Sequence, residues 1–510
     1  MDAVAELPIL SSDPGQRIAR SQGWLDRSVT SSPASRVAHR FSRLAVLALT
    51  FLSVTYGCAG EDAPTITEDP STPPPPANGV AINVDPSVEY QRMTGWEAVT
   101  QIGELECDHN AFLLYRAPLL DAAVNDLGLN RVRLQLRSGL ENNVDWFAQF
   151  QAGQIDRATW RTHWFEVVND NANPNVLNTA GVHWGFLDYT IDNVVTHLRQ
   201  RLAARGERLY VNLNYVDFGN SPFEHSSNPA EYAELVVAAF QHIQSKYGWS
   251  PDAVEMILEP DNTSNWNAGT IGPAIVATGD RLAAAGFHPA FIAPSNAAMS
   301  SALLFFDQLI AMPRVREYLT DLSYHRYGGV TSAILQSIGD RAVQYGIRTA
   351  MLEHIGSGYE DLHDDLLQGR NSAWQQFALA YCGSDDNGGV YYMINQSNPS
   401  APSFSEGSRT RFLKQYFRHV RLGATRVGAT SGDNRFSPLA FRNTDGRFVV
   451  VIKSEGGDTL QVRGLPAGTY GIYYAGPSAS GVSPDVTIAA QQPLAVTTPN
   501  GKGVITIYRK

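Results

Sequence analysis

From residue 93 to residue 395 the chain alternates short apolar runs with longer segments of helical periodicity. An apolar run followed by an amphipathic helix, repeated along a chain, is the pattern of a parallel sheet covered by helices. The runs predicted as strands are residues 93–99, 130–136, 208–214, 254–259, 290–296, 321–325, 348–353 and 389–395. Eight such repeats predict an α/β fold, a closed (β/α)8 TIM barrel. An open doubly wound sheet is the alternative, although no glycine-rich phosphate turn follows any of these runs.

The pattern changes after about residue 430. Short β-type runs separated by Gly, Pro and Asp turns replace the strand–helix alternation, and they predict an appended antiparallel β-sandwich of about six to eight strands. We therefore expect the barrel at residues 79–428 and the sandwich domain at residues 429–510. Residues 79–92 could belong to either part, because they could also pair with the sandwich.

The first 78 residues differ in composition from the rest of the chain. An eleven-residue apolar run at positions 44–54 follows Arg36, Arg40 and Arg43, which predicts an export signal and leader over residues 1–58. The end of this segment resembles a bacterial lipoprotein signal, which would place a lipid anchor at Cys58. Simple cleavage nearby, giving a secreted protein, and a cytosolic N-terminal helix are the alternatives. Residues 59–78 contain six prolines and are predicted to be an extended linker.

Charge and cysteine content exclude several classes of function. The chain has 39 Lys and Arg against 50 Asp and Glu, a net charge of −11, which argues against a nucleic-acid partner. Its three cysteines fit no zinc spacing, and no HExxH or GxSxG motif occurs, so we predict neither a metal or other cofactor nor a serine nucleophile. Cys107 follows the first predicted strand and Cys382 precedes the eighth, at opposite ends of the barrel, so both are expected to be thiols.

Polar side chains end most of the predicted barrel strands, where the active site of such a barrel lies. In chain order they are Arg133 and Gln135, Asn212 and Asn214, Glu259 and Asn262, Asn296, His325 and Tyr327, Glu353, and Asn395 and Gln396. Glu259 and Glu353 each end a strongly apolar run. Two partly buried carboxyl groups about 5 Å apart are what retaining glycoside hydrolysis requires. The sequence therefore predicts a glycosidase site, with Glu97, Glu104, Asp217 and Asp261 as acids that either support these two or contact the substrate.

Glutamates at the ends of strands four and seven resemble the pattern of clan A retaining glycoside hydrolases, and four segments resemble family 30 and its relatives. They are residues 84–96 (VDPSVEYQRMTGW), 127–133 (LGLNRVR), 416–427 (YFRHVRLGATRV) and 438–450 (PLAFRNTDGRFVV). The resemblance covers roughly residues 80–510. It implies that Glu259 is the acid/base, Glu353 the nucleophile and Arg133 the partner that keeps Glu353 ionised.

The same resemblance implies that His325 and Tyr327 line the sugar subsite and that Trp96 forms part of the pocket wall. Asn214, Asn262, Asn296 and Gln396 are further candidates for substrate contacts. The implied substrate is a β-linked poly- or oligosaccharide. Neither the glycan, nor exo or endo action, nor the oligomeric state is indicated by the sequence.

One position departs from the clan pattern. The residue before the acid/base is usually an asparagine that contacts the sugar 2-hydroxyl, and here it is Leu258. Either Asn214 or Asn262 takes over this contact, or the substrate contact differs. A non-catalytic carbohydrate-binding protein on a hydrolase scaffold is therefore the alternative function.

The segment at residues 141–185 is far longer than an ordinary loop between a strand and a helix, and it holds Trp146, Trp160, Trp164 and Trp184. Long loops of compact domains tend to be functional. These rings could stack on sugars in an extended cleft, or they could form the core of the loop itself.

Overall fold

The computed structural model describes residues 79–219, 221–383 and 386–510. The predicted signal and leader, the linker and the anchor at Cys58 all lie outside the described residues. The strands are β1 Val80–Arg92, β2 Gly95–Val99, β3 Arg131–Arg137, β4 Tyr210–Val216, β5 Ala253–Glu255, β6 Ala290–Ala298, β7 Leu319–Gly328, β8 Arg348–Glu353, β9 Asn371–Cys382, β10 Val390–Asn395, β11 Ser403–Glu406, β12 Thr425–Ser431, β13 Phe436–Arg442, β14 Phe448–Ser454, β15 Thr459–Arg463, β16 Gly468–Ala475, β17 Ser480–Ile488, β18 Leu494–Thr497 and β19 Gly503–Arg509.

The α-helices are α1 His109–Ala122, α2 Trp146–Gln151, α3 Arg157–Thr162, α4 Gly185–Thr190, α5 Thr196–Ala203, α6 Pro229–Tyr247, α7 Ala268–Ala284, α8 Met299–Ile310, α9 Val315–Tyr318, α10 Ser332–Tyr345, α11 Tyr359–Leu367 and α12 Thr410–Phe417. Short π-helical turns extend α1 and join α4 to α5. Over the described part of the chain, every helix is too short or too polar to cross a membrane.

Strands β2 to β9 are parallel and neighbour one another in chain order. Strand β9 pairs with both β8 and β2, and this double pairing closes the sheet. The apolar faces of the surrounding helices and the outer faces of the strands share one large buried core. The predicted (β/α)8 barrel is therefore confirmed.

The position of the eighth barrel strand corrects the prediction. The closing strand is β9, whereas the predicted strand at residues 389–395 is β10, which pairs with the carboxyl-terminal half of β9 and then with β11. Strand β9 carries Gln375 and Gln376, whose amide groups donate to the carbonyl oxygens of Leu352 and Ser357. These buried polar residues interrupt the apolar run by which a central strand is recognised.

The same correction applies to the cysteines, which were predicted to be thiols. Cys382 ends β9 and therefore lies at the carboxyl end of the barrel, as does Cys107 in the loop after β2. The two residues form a disulfide with a Cα–Cα distance of 5.8 Å. The prediction was wrong because Cys382 had been placed before the eighth strand instead of at its end.

A second, mostly antiparallel sheet contains β12 to β19 and also β1, nine strands within the described ranges. Strand β1 pairs antiparallel with β12 and parallel with β15, and the chain then enters β2 directly. The sheet encloses a separate apolar core that includes Ile82, Phe436 and Ile507. The appended β-sandwich is confirmed, and it packs on the barrel through α12 and through His363, which hydrogen-bonds Tyr416 and Ser437.

Candidate active site

Glu259 and Glu353 meet at the carboxyl end of the barrel. Glu353 is the last residue of β8, and Glu259 follows β5 in the turn that leads to α7. One oxygen of each carboxylate and one ring nitrogen of His325, on β7, lie within 4.8 Å of one another. Glu259 is 8% exposed and Glu353 is 7% exposed. The structure thus brings together the two predicted acids, although they are far apart in sequence.

Two side chains hold the carboxylate of Glu353. Arg133 forms an ion pair with Oε2, and the Tyr327 hydroxyl donates to Oε1 at 3.0 Å. Although burial favours the neutral form of the guanidinium, the negative charges of Glu353 and Glu255 raise the pKa of Arg133. Arg133 therefore places a permanent positive charge against the Glu353 carboxylate.

Glu259 has different neighbours. His325 Nδ1 lies 2.8 Å from Oε1, and the Asn262 amide donates to Oε2 at 2.7 Å. Burial raises the pKa of Glu259 to about 7, and burial also lowers the pKa of His325 to about 4. At neutral pH the ring is uncharged and Glu259 is protonated in a large fraction of the molecules. The two carboxyl groups therefore differ in environment, as a general acid and a nucleophile must.

The backbone at Glu259 adopts a left-handed conformation, with φ 47° and ψ 61°, which is unfavourable for a residue with a side chain. Its N–H donates to the Ser295 carbonyl at 3.0 Å. Both carboxylate oxygens of Asp261 accept backbone N–H groups, from Ala297 and Ala298, so Asp261 fixes this turn to β6. Backbone strain of this kind is typical of functional sites, and here it aims the Glu259 side chain.

Asn214 and Asn296 are fully buried, yet within the described residues neither amide has a hydrogen-bond partner for its nitrogen or its oxygen. Asn214 lies two residues after Asn212 on β4, so both side chains point to the same face of the strand. Asn212 donates to Glu255 at 2.8 Å inside the barrel. Since buried amides are normally paired, Asn214 and Asn296 are groups that a bound polar ligand could satisfy.

Sequence reasoning missed Glu255 and Gln375. Burial raises the pKa of Glu255 to about 7, and Arg133 acts in the opposite direction. The Gln375 oxygen is buried and without a partner in the part of the chain that the structure describes. The signal for Glu255 was present, since it lies four residues before Glu259 in an otherwise apolar strand.

Two predicted contact residues lie elsewhere. Trp96 stacks on Phe417 with the ring centroids 4.5 Å apart, and its Nε1 donates to Val420 at 2.6 Å, so it faces the helices. Neighbouring residues of a strand point to opposite faces of the sheet. Glu97 therefore points into the barrel, where it pairs with Arg131. Gln396 follows β10, outside the barrel, and accepts a hydrogen bond from the Asp108 backbone at 2.6 Å.

The remaining supporting acids have structural partners. Asp217 accepts hydrogen bonds from Ser138 and from Trp266, both at 3.1 Å. Glu104 accepts one from the Ile102 backbone, and burial, with Glu106 nearby, raises its pKa to about 8.

The tryptophans of residues 141–185 pack against other aromatic side chains of the protein. Trp160 and Trp164 are buried with Phe147 in a cluster that belongs to the loop itself. Trp146 stacks on His163 and Trp184 on His242. The interpretation of the loop as a unit with its own aromatic core therefore holds for Trp160 and Trp164.

A scan against models of protein families found no match, and a search of curated proteins found none. Among solved structures, the catalytic domain of a family 30 xylanase C from Talaromyces cellulolyticus aligns with a TM-score of 0.62 and 15% identity, over 84% of this chain and all (100%) of the xylanase domain. An endo-β-1,6-glucanase aligns with a TM-score of 0.60 and 16% identity, covering 86% and 94% of the two chains. A conserved exported protein from Bacteroides fragilis gives 0.61 and 12%, covering 84% and 100%. The chain therefore has the fold of family 30 and related clan A glycoside hydrolases.

Proposed function

We propose that this protein is a retaining glycoside hydrolase that cleaves β-linked glycans by double displacement. The observation that carries the proposal is the short separation of the Glu259 and Glu353 carboxylates, whose oxygens lie within 4.8 Å at the carboxyl end of the barrel. Retaining enzymes hold their two carboxyl groups about 5 Å apart, whereas inverting enzymes leave room for a water between them. The glycosidase fold supports the same reaction class.

In the proposed mechanism Glu353 attacks the anomeric carbon while Glu259 protonates the leaving oxygen. Glu259 then removes a proton from a water molecule as the water oxygen attacks the anomeric carbon, which breaks the bond to Glu353 and releases the sugar. Arg133 and the Tyr327 hydroxyl hold and orient the attacking carboxylate. The pKa of Glu259, raised by burial to about 7, lets the same carboxyl group act first as an acid and then as a base.

Substrate contacts are assigned to the side chains around these acids. We propose that His325, Tyr327, Asn214 and Asn296 line the sugar subsite. The Asn262 amide already donates a hydrogen bond to Glu259, whereas both polar atoms of the Asn214 amide are free to bind a ligand. Asn214 is therefore the better candidate for the 2-hydroxyl contact that Leu258 cannot make.

The experiment is a comparison of Glu353→Ala and Glu259→Ala on a panel of β-linked polysaccharides and aryl glycosides. Glu353→Ala should lose more than about 10³-fold in turnover on every substrate. Glu259→Ala should retain more activity on aryl glycosides with good leaving groups than on polysaccharides, because it mainly loses acid assistance. Glu207→Gln is the control, since Glu207 pairs with Arg421 at the opposite end of the barrel and should leave turnover unchanged.

A second candidate function is glycan binding without catalysis, which Leu258 favours. Binding of a polysaccharide with no product released by the wild-type protein would support it. Wild-type-like turnover in Glu353→Ala would contradict the assignment of the nucleophile.

For the chain as a whole we propose a barrel within residues 79–428 and a sandwich at 429–510, whose sheet is completed by β1 and by the start of β12. We also propose export to the outer surface or the periplasmic side of a bacterial membrane, with lipidation at Cys58, or simple secretion as the alternative. The apolar run at positions 44–54 supports export.

A further inference from the structure

Three acidic side chains converge outside the candidate active site, where the segment at residues 141–185 meets the start of α6. Asp170 belongs to that segment, and Glu231 and Glu234 occupy the first two turns of α6. One carboxylate oxygen from each of the three lies within 4.8 Å of the other two. Residues three apart share a helix face, so α6 presents both of its glutamates to Asp170.

Hydrogen bonds offset only part of their negative charge: Oδ2 of Asp170 accepts from the Asn171 side-chain amide and from the Asn178 backbone N–H. Glu231 is 9% exposed and Glu234 is 8% exposed, and in the described ranges no basic side chain forms an ion pair with any of the three acids. Arg281 acts on Glu234 only at longer range, and it hydrogen-bonds the Asn175 side chain instead. Burial, followed by the charges of Asp170 and Glu231, raises the pKa of Glu234 to about 7.

A separate observation points to a ligand at this cluster. Oε2 of Glu231 is buried and accepts no hydrogen bond from any described residue, and the same is true of Oδ1 of Asn169. The side chains of Glu234 and Asn169 both lie within hydrogen-bonding reach of the Glu231 carboxyl group, and the Asn169 nitrogen donates to the Asn171 carbonyl. Buried oxygens without donors are rare in proteins, and a bound cation is one of the few partners that satisfies several of them at once.

The donor set identifies the class of cation. All four side chains offer oxygen, which suits a hard cation and not zinc or copper. Calcium takes six to eight oxygens at about 2.3–2.6 Å, so that two of its ligands can lie up to about 5 Å apart. Magnesium requires shorter distances and a regular octahedron. We propose that Asp170, Glu231, Glu234 and Asn169 form a calcium site, with water completing the coordination.

A calcium ion at this site would link the segment at residues 141–185 to helix α6 of the barrel. Asp170 lies within this segment. Its backbone N–H donates to the Glu141 side chain at 2.9 Å, so a hydrogen bond connects the proposed site to the start of the segment. The aromatic cluster around Trp160 lies in the same segment. Calcium would therefore stabilise this part of the fold and protect it from proteolysis, independently of glycan cleavage.

The test is calorimetric titration of the full-length protein with CaCl₂ after dialysis against EDTA. We expect one site with a Kd on the order of 10⁻⁵ to 10⁻³ M and a rise in Tm of roughly 2–5 °C in excess calcium. Glu231→Gln/Glu234→Gln should lose both the heat of binding and the Tm shift. Without calcium this variant should melt no lower than the wild type, because it lacks the repulsion between buried charges.

The matched control is Asp192→Asn/Asp340→Asn, which removes two exposed helix acids and should bind calcium like the wild type. Asp170→Asn, a single change in the loop, should weaken binding about tenfold and serves if the double variant does not fold. The proposal is overturned if the wild-type protein neither binds calcium nor gains Tm, if the double variant keeps the shift, or if MgCl₂ binds as tightly as CaCl₂.

Discussion

Nδ1 of His325 lies 2.8 Å from Oε1 of Glu259, and both side chains are buried at the mouth of the barrel. Burial keeps the imidazole neutral, so His325 orients the carboxyl group without adding a positive charge that would force it to ionise. Glu353 has the opposite environment because Arg133 contacts it directly.

The alkaline limb of kcat/KM should follow the ionisation of Glu259. Burial raises its pKa to about 7, so the acid form is present below that pH and is lost above it. We expect kcat/KM to fall about tenfold per pH unit above the limb. In Glu259→Gln, assayed with an activated aryl glycoside, the limb should disappear. An unchanged limb in that variant would assign the ionisation to another group.

Tyr327→Phe should lower kcat/KM by about 10–100-fold with little change in Tm. The hydroxyl donates to Oε1 of Glu353 at 3.0 Å, and a hydrogen bond to a charged group contributes about 1.5–3 kcal/mol. Tyr470→Phe is the matched control, because its hydroxyl donates to Pro466 within the sandwich. Full activity in Tyr327→Phe would show that this hydrogen bond does not contribute to catalysis.

Asn214→Ala should impair cleavage of substrates that carry a 2-hydroxyl more than cleavage of 2-deoxy analogues. The free amide of Asn214 would donate to or accept from that hydroxyl, so about 10–100-fold in kcat/KM should be lost only where the hydroxyl exists. Asn262→Ala is the matched control. Asn262 hydrogen-bonds Glu259, so this substitution should lower kcat/KM equally for both substrates. Equal losses for Asn214→Ala on both substrates would exclude the contact.

The bond between Cys107 and Cys382 should be detectable by thiol titration in a Cys58→Ser chain. After denaturation without reductant no thiol should react, and after reduction two should react. Because the bond joins positions 275 residues apart, Cys107→Ser/Cys382→Ser should destabilise the protein by about 5–6 kcal/mol in the chain-entropy account. Two reactive thiols before reduction would contradict the bond.

Local patterns in the sequence predicted the barrel and its central acids. The alternation of apolar runs with helical periodicity depends only on near neighbours in the chain, and the carboxyl ends of parallel strands always lie at one end of a barrel. Glu259 and Glu353 could therefore be predicted to meet at one end of the barrel from their positions at strand ends. The roles of Arg133, His325 and Tyr327 beside these acids were implied by the resemblance to family 30 and its relatives.

Tertiary structure alone decided which strand closes the barrel and which side chains turn inward. The polar residues of β9 are stabilised in the interior by carbonyl groups from other segments, such as Leu352, which local periodicity cannot reveal. That closure brings Cys382 to Cys107, and the pleat of β2 turns Trp96 toward Phe417. Asp170 likewise meets Glu231 only because the fold places the long segment on α6. Contacts between distant residues depend on how the strands close and pack, and no local pattern encodes them.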